Sequence, residues 1–191
     1  MFWLITGGSG SGKSEYAEQA AADMGQFPLY YIATMRVWDE EGETRVKKHR
    51  MQREGKGFIT LERFTDLRSL ALPEDGGTVL LECLSNLTAN EFYDRTGMDF
   101  SSSPGKTDAA AAEKETEEEI LQGISHILSR CRNLIAVTNE VFSDGIQYPE
   151  ETEMYIRILG NVNRRLAARA DRVTEVVCGI PVPVKPAEEP S

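Results

Sequence analysis

Between Gly7 and Ser14 the chain reads Gly-Gly-Ser-Gly-Ser-Gly-Lys-Ser. Gly7, Gly12, Lys13 and Ser14 occupy the fixed places of the pattern G-x-x-x-x-G-K-[ST], and each residue type there has a task on a triphosphate. Gly7, Gly8, Gly10 and Gly12, with Ser9 and Ser11 between them, let the backbone bend so that its N–H groups close on phosphate oxygens. A helix opening at Lys13 aims its positive end at the same anion. Lys13 can reach the β- and γ-phosphates, and the Ser14 hydroxyl can ligate Mg²⁺. A plain flexible turn would not need the apolar run before these glycines and the helix formers after them.

Two further features carry polar chemistry. Glu82 closes the apolar run Val79-Leu80-Leu81, where a carboxylate can hold a metal-bound water or orient a substrate. It also reads as a strand-end carboxylate facing solvent. Asn139-Glu140 ends the next apolar run in the same way, and ligands in open α/β sheets collect at carboxyl strand ends. The second feature is His49, set in Arg45-Val46-Lys47-Lys48-His49-Arg50-Met51-Gln52-Arg53. In a helix, Arg45, His49 and Arg53 share one face. Positive neighbours keep an imidazole neutral, and a neutral imidazole can attack an α-phosphorus to form a phosphoramidate. The same stretch also reads as a solvated basic helix whose arginines pair with Glu40, Glu41 or Glu43. His126, inside Ile124-Ser125-His126-Ile127-Leu128, reads as a packing residue of a helix.

The elements that must position these groups follow from periodicity. Strands are expected at Phe2–Thr6, Leu29–Ala33, Thr78–Leu81, Leu134–Thr138 and Val173–Cys178, with a further one at Val182–Val184. Helices are expected at Lys13–Met24, Leu84–Tyr93, Asp108–Arg130 and Pro149–Ala170, and residues 39–54 carry helix formers. Asp94–Thr107, rich in Ser, Gly and Pro, reads as an exposed loop. Apolar strands alternating with helices predict an α/β fold with a mostly parallel sheet. One catalytic domain over 1–185 and a frayed tail over 186–191 are expected.

The bulk numbers exclude more than they assign. A formal net charge of -10 over 191 residues argues against nonspecific binding to nucleic acid or an anionic membrane. Cys83, Cys131 and Cys178 have neither zinc nor redox-pair spacing, which suits free thiols in a reducing cytoplasm. No apolar run approaches the ~20 residues of a membrane span, so a cytoplasmic location is expected. On these grounds alone, a P-loop kinase of some small metabolite and a nucleotide-dependent switch or ATPase module both fit.

A wider set of segments is more specific. Ile5-Thr6-Gly7-Gly8 runs into Ser11-Gly12-Lys13-Ser14, and Tyr31-Ile32-Ala33-Thr34 and Arg45-Val46 with His49-Arg50 follow. After them come Leu80-Leu81-Glu82-Cys83, Thr138-Asn139-Glu140-Val141, the stretch from Gly160 to Ala167, and Gly179-Ile180-Pro181-Val182. In this order they resemble the bifunctional adenosylcobinamide kinase / adenosylcobinamide-phosphate guanylyltransferase family of cobalamin biosynthesis. The resemblance implies a RecA-like P-loop fold and a homo-oligomer, a trimer in this family. It implies phosphorylation of adenosylcobinamide by a nucleoside triphosphate, ATP or GTP, with Mg²⁺. Transfer of GMP from GTP to that phosphate then follows, with His49 carrying GMP. By the same resemblance Gly7 to Ser14 cradle the triphosphate, with Lys13 catalytic. Ala33, Thr34 and Met35 line the nucleotide site, as do Arg50, Met51, Gln52 and Arg53, while Glu62 and Glu82 are its carboxylates. The chain departs from the family where Glu54-Gly55, not Arg-Pro, follows Arg53, in the looser Val141–Gly145 turn, and in the 94–107 loop. These departures bear on the shape of the guanosine and corrinoid pockets.

Overall fold

The structure is a computed structural model. It describes residues 1–37, 44, 46–47, 51, 53–73, 76–97, 109–141, 145 and 148–186.

Seven strands among the described residues form one sheet. They are β1 (Phe2–Thr6), β2 (Leu29–Ala33), β3 (Phe58–Glu62), β4 (Thr78–Glu82), β5 (Asn133–Val137), β6 (Arg172–Val177) and β7 (Ile180–Lys185). Their spatial order is β3-β2-β4-β5-β1-β6-β7. Every pairing is parallel except β6 with β7. Four helices are described: α1 (Lys13–Asp23), α2 (Leu84–Thr96), α3 (Ala109–Leu128) and α4 (Glu150–Arg169).

The inner strands are apolar on both faces because both faces are covered. Phe2, Leu4, Val79, Leu81, Leu134 and Ala136 point to one core, shared with α2, α3 and α4. Trp3, Ile5, Leu80, Ile135 and Val137 point to the other, shared with Ala17 and Ala21 of α1. The expectation of a mostly parallel α/β sheet with helices on both faces is met, and the helix positions agree to within a few residues. The clearest difference is at α2, which runs on through Asp94 to Thr96 and ends at a left-handed Gly97. A glycine in that conformation closes a helix without strain.

One strand escaped the periodicity, and another was seen only in part. β3 is an edge strand with half-exposed side chains, so its sequence Phe-Ile-Thr-Leu-Glu carries too little buried apolar pattern to stand out. β7 is longer than expected and antiparallel, and its pairing with β6 begins at Val177 and Ile180, on either side of a two-residue turn. The acidic half of α3 is also less solvated than its composition suggests. Glu113 pairs with Arg157 at 2.7 Å, Glu119 with Arg68 at 2.7 Å, and Asn161 donates to Glu117 at 2.6 Å. These carboxylates tie α3 to α4 and to the 3₁₀ turn Leu67–Ser69.

The apolar face of α3 is the centre of the larger core: Ile120, Ile124 and Ile127 are each at most 1% exposed. Truncating Ile124 leaves a void in this core that its neighbours fill only in part. Ile124→Ala is expected to lose about 2–5 kcal/mol of unfolding free energy, read from urea melts.

Candidate nucleotide site

Parallel pairing lines up the ends of five strands. In the ladder Glu62 stands opposite Ala33, Ala33 opposite Glu82, Glu82 opposite Val137, and Val137 opposite Ile5. This row closes one edge of a cavity of ≈ 940 Å³, whose other wall is the loop from Ser9 to Glu15. The cavity therefore opens at the carboxyl edge of the sheet, where the backbone leaves strands and enters helices.

The loop is built by close approach. A Cβ on Gly7 would lie 2.6 Å from the Val176 carbonyl oxygen, and one on Gly12 would lie 3.4 Å from Gly179 Cα. Gly12 holds φ 89° and begins α1 with no side-chain cap. The helix thus presents backbone N–H groups and its positive end to the cavity. Gly179 N–H donates to Ser11 O at 2.8 Å, and Glu140 N–H donates to Gly7 O at 3.2 Å. So the turn joining β6 to β7 and the segment after β5 brace the loop from both sides.

Lys13 is buried, and its Nζ donates to Gly8 O at 2.9 Å, which folds the ammonium over the loop. Burial lowers its pKa, while the Cys83 and Glu82 side chains oppose that shift. Glu82 Oε2 accepts from the Tyr31 hydroxyl at 3.0 Å. Burial, and then the Glu82 charge, drive the Tyr31 pKa well above the usual phenol value, so Tyr31 is a fixed donor. Arg53 lies with its guanidinium carbon 3.5 Å from the Tyr31 ring centroid.

The structure brings together most of the residues expected here. Ser9, Gly10, Ser11, Gly12, Lys13, Ser14, Ala33, Met35, Arg53, Glu62 and Glu82 all line the cavity. Gly7 and Gly8 form the loop beneath it. Thr34 lies behind the wall: it is fully buried, and its hydroxyl donates to Cys83 O and accepts from Cys83 N–H, both at 2.8 Å. Met51 is largely exposed and lines an adjoining groove that shares Arg53, Thr60 and Glu62. His49, Arg50 and Gln52 lie outside the described residues, as do Arg45 and residues 98–108. Thr44, Val46, Lys47, Met51 and Arg53 have helical backbone.

Arg36, Phe64 and Asn86 also line the cavity, and sequence reasoning missed them. Asn86 lies in α2 just beyond the β4 end, a place that the strand-end argument could have reached. Arg36 and Phe64 lie on the segments leaving β2 and β3, where no periodicity marks them.

Comparison with known proteins decides the family. The description cobinamide kinase / cobinamide phosphate guanyltransferase matches residues 3–184. This chain belongs to that family. The family member named "Bifunctional adenosylcobalamin biosynthesis protein CobU" in Escherichia coli (strain K12) is 35% identical over 188 residues, which is 97% of this chain and 100% of that protein. The one with the same name in Salmonella typhimurium is 35% identical over 190 residues, again 97% and 100%. "Bifunctional adenosylcobalamin biosynthesis protein CobP" of Pseudomonas aeruginosa is 31% identical over 186 residues, 95% of this chain and 96% of that protein. Among the described residues no helix is long and apolar enough to cross a membrane.

For this family member the buried lysine sets a pH response. Lys13 titrates below the usual 10.5, so raising the pH removes its charge earlier than from an ordinary lysine. A lysine attracts a phosphate only in its charged form. Affinity for a non-hydrolysable GTP analogue, followed by calorimetry, is expected to fall with rising pH before the ordinary lysine range, by up to about tenfold per pH unit. Lys13→Met is expected to bind weakly at all pH values and to lose that slope.

Proposed function

We propose that this chain phosphorylates adenosylcobinamide with a nucleoside triphosphate and then transfers GMP from GTP to the new phosphate, through a guanylyl group on His49. The observation that carries this reading is the family match over residues 3–184 of a chain whose glycine loop walls the cavity. The family's description supplies the two activities, and the relatives are named as bifunctional proteins of adenosylcobalamin biosynthesis.

In the first reaction a substrate hydroxyl attacks the γ-phosphorus, and the nucleoside diphosphate leaves. The loop N–H groups and Lys13 neutralise charge on the phosphate oxygens as that bond breaks. In the second, a ring nitrogen of His49 attacks the α-phosphorus of GTP. A P–N bond forms, the bond to the β-phosphate oxygen breaks, and pyrophosphate leaves. The cobinamide phosphate oxygen then attacks the same phosphorus and frees the imidazole. Two displacements replace one difficult one. In this reading Glu82, which accepts from the Tyr31 hydroxyl, orients a water or an acceptor hydroxyl.

The donors present suit Mg²⁺. Ser14 and Glu82 line one cavity and offer a hydroxyl and a carboxylate, hard oxygen ligands that leave room for phosphate oxygens and water. When bound there, the ion supplies charge to the triphosphate and helps hold it in line.

The reading includes a homotrimer. What supports assembly is the outer edge: Ile180, Val182 and Val184 of β7 are 65%, 42% and 62% exposed. Pro181 and Pro183 remove N–H groups from the same edge, so it is poorly suited to template another strand. A partner would meet its side chains.

Two experiments check these points. GTP labelled on the α-phosphate should leave label on the protein that survives alkali and is released by acid, with none on His49→Ala. Wild-type protein without label, or a labelled His49→Ala, rejects the intermediate. In sedimentation equilibrium the wild type should run as a trimer, and the double change Ile180→Asp and Val184→Asp should run as a monomer.

A further inference from the structure

Glu18 is almost wholly buried, at 1% exposure, in the middle of α1. A carboxylate buried there is stable only if opposite charge meets it, since isolated burial costs several kcal/mol. Its Oε2 accepts from Lys56 Nζ at 2.8 Å. Its Oε1 stands 3.7 Å from Arg53 Nη1, an ion pair without a hydrogen bond. Arg53 is itself only 7% exposed. Both cations come from the short connection between the basic segment and β3, and Glu18 is the acid that receives them.

The contacts continue inward. The Arg53 guanidinium carbon lies over the Tyr31 ring, 3.5 Å from its centroid, and the Tyr31 hydroxyl donates to Glu82 at 3.0 Å. Thus a buried acid of the P-loop helix leads through Arg53 and Tyr31 to the carboxylate at the end of β4. Arg53 Nε and Nη1 are buried and make no hydrogen bond within the described residues. Among the described residues a long ion pair and a ring face hold the guanidinium, so Glu18 is the charge that keeps it in place.

We propose that Glu18 is a positioning residue: by holding Arg53 against Tyr31 it orients Glu82 in the cavity, and it anchors Arg53, four residues beyond His49 in sequence. The part that concerns His49 rests on the function proposed above. The part that concerns Arg53, Tyr31 and Glu82 does not. Glu18 itself touches no substrate, and its loss should disturb transfer more than binding.

Glu18→Gln keeps the shape and removes the charge. Two readouts on the full-length protein test it. In limited trypsin digestion followed by mass spectrometry, cleavage after Arg53 and Lys56 should be about tenfold faster than in the wild type, because the released side chains become accessible. In single turnover with α-labelled GTP, protein labelling should be about tenfold slower or worse, while GTP affinity stays within roughly threefold. Glu18→Asp should fall between the two. Unchanged protection of Arg53, or affinity lost in step with rate, overturns the proposal. If Glu18→Gln gives no cooperative melt, Arg53→Lys decides: it keeps the charge but loses the guanidinium over the Tyr31 ring, and unchanged labelling by that variant also overturns it. A wild type that takes no label condemns the guanylyl-histidine reading instead, and the trypsin comparison still decides whether Glu18 holds Arg53.

Discussion

The P-loop is held by a backbone contact that only glycine permits. Gly7 lies so close to the Val176 carbonyl that any Cβ would overlap it, and Gly12 rests near Gly179. Gly179 in turn donates to Ser11 O. The loop is therefore pressed against the start of the β6–β7 hairpin rather than hanging free between β1 and α1. That fixes where α1 begins and where Lys13 stands. Preorganised donors need no rearrangement when charge develops in front of them, so the rigidity of the hairpin becomes a property of the site.

The sheet supplies the second constraint. Parallel strands in register bring their carboxyl ends to one edge, and residues distant in sequence meet there without any side chain directing them. Glu62, Ala33, Glu82 and Val137 form a continuous row because β3, β2, β4 and β5 are neighbours. β5 separates the P-loop strand from the strand that carries Glu82. The carboxylate is thereby set one strand further along the edge from the loop, and the cavity spans that width.

Much of this was legible in the residues. Continuous apolar runs marked the inner strands because both faces are buried, and the glycine pattern marked the loop because only particular residues serve it. Glu82 was visible as a strand-end carboxylate. Edge elements were not: β3 is half exposed, so burial imposes no pattern on Phe58–Glu62. Glu62 came into view only through family resemblance. Glu18 had no local signal at all. On α1 it is one more helix-forming glutamate, and its partners Arg53 and Lys56 lie beyond the whole of β2. A buried charge is defined by its neighbours in space, and no spacing rule within a helix records them. Thr34 is the converse, a residue within a recognisable motif whose hydroxyl serves the Cys83 backbone behind the wall.

Charge distribution connects these points. The chain carries a formal -10, yet the fold brings Lys13, Arg53 and Arg36 to one cavity. Glu15, Glu62 and Glu82 line the same cavity, and each cation also has a restraint of its own. Lys13 is held by Gly8 O, Arg53 by Glu18 and Tyr31, and Arg36 by a two-pronged pair with Asp94. Each anchor belongs to a different element, so the three cations can respond separately to a bound anion. Under the proposed reading this separation has chemical use. Cutting at the γ-phosphorus and cutting at the α-phosphorus place developing charge at different points of one triphosphate. A cavity with independently fixed cations can meet both without moving the nucleotide, whereas a single mobile cluster would have to be rebuilt between the two reactions.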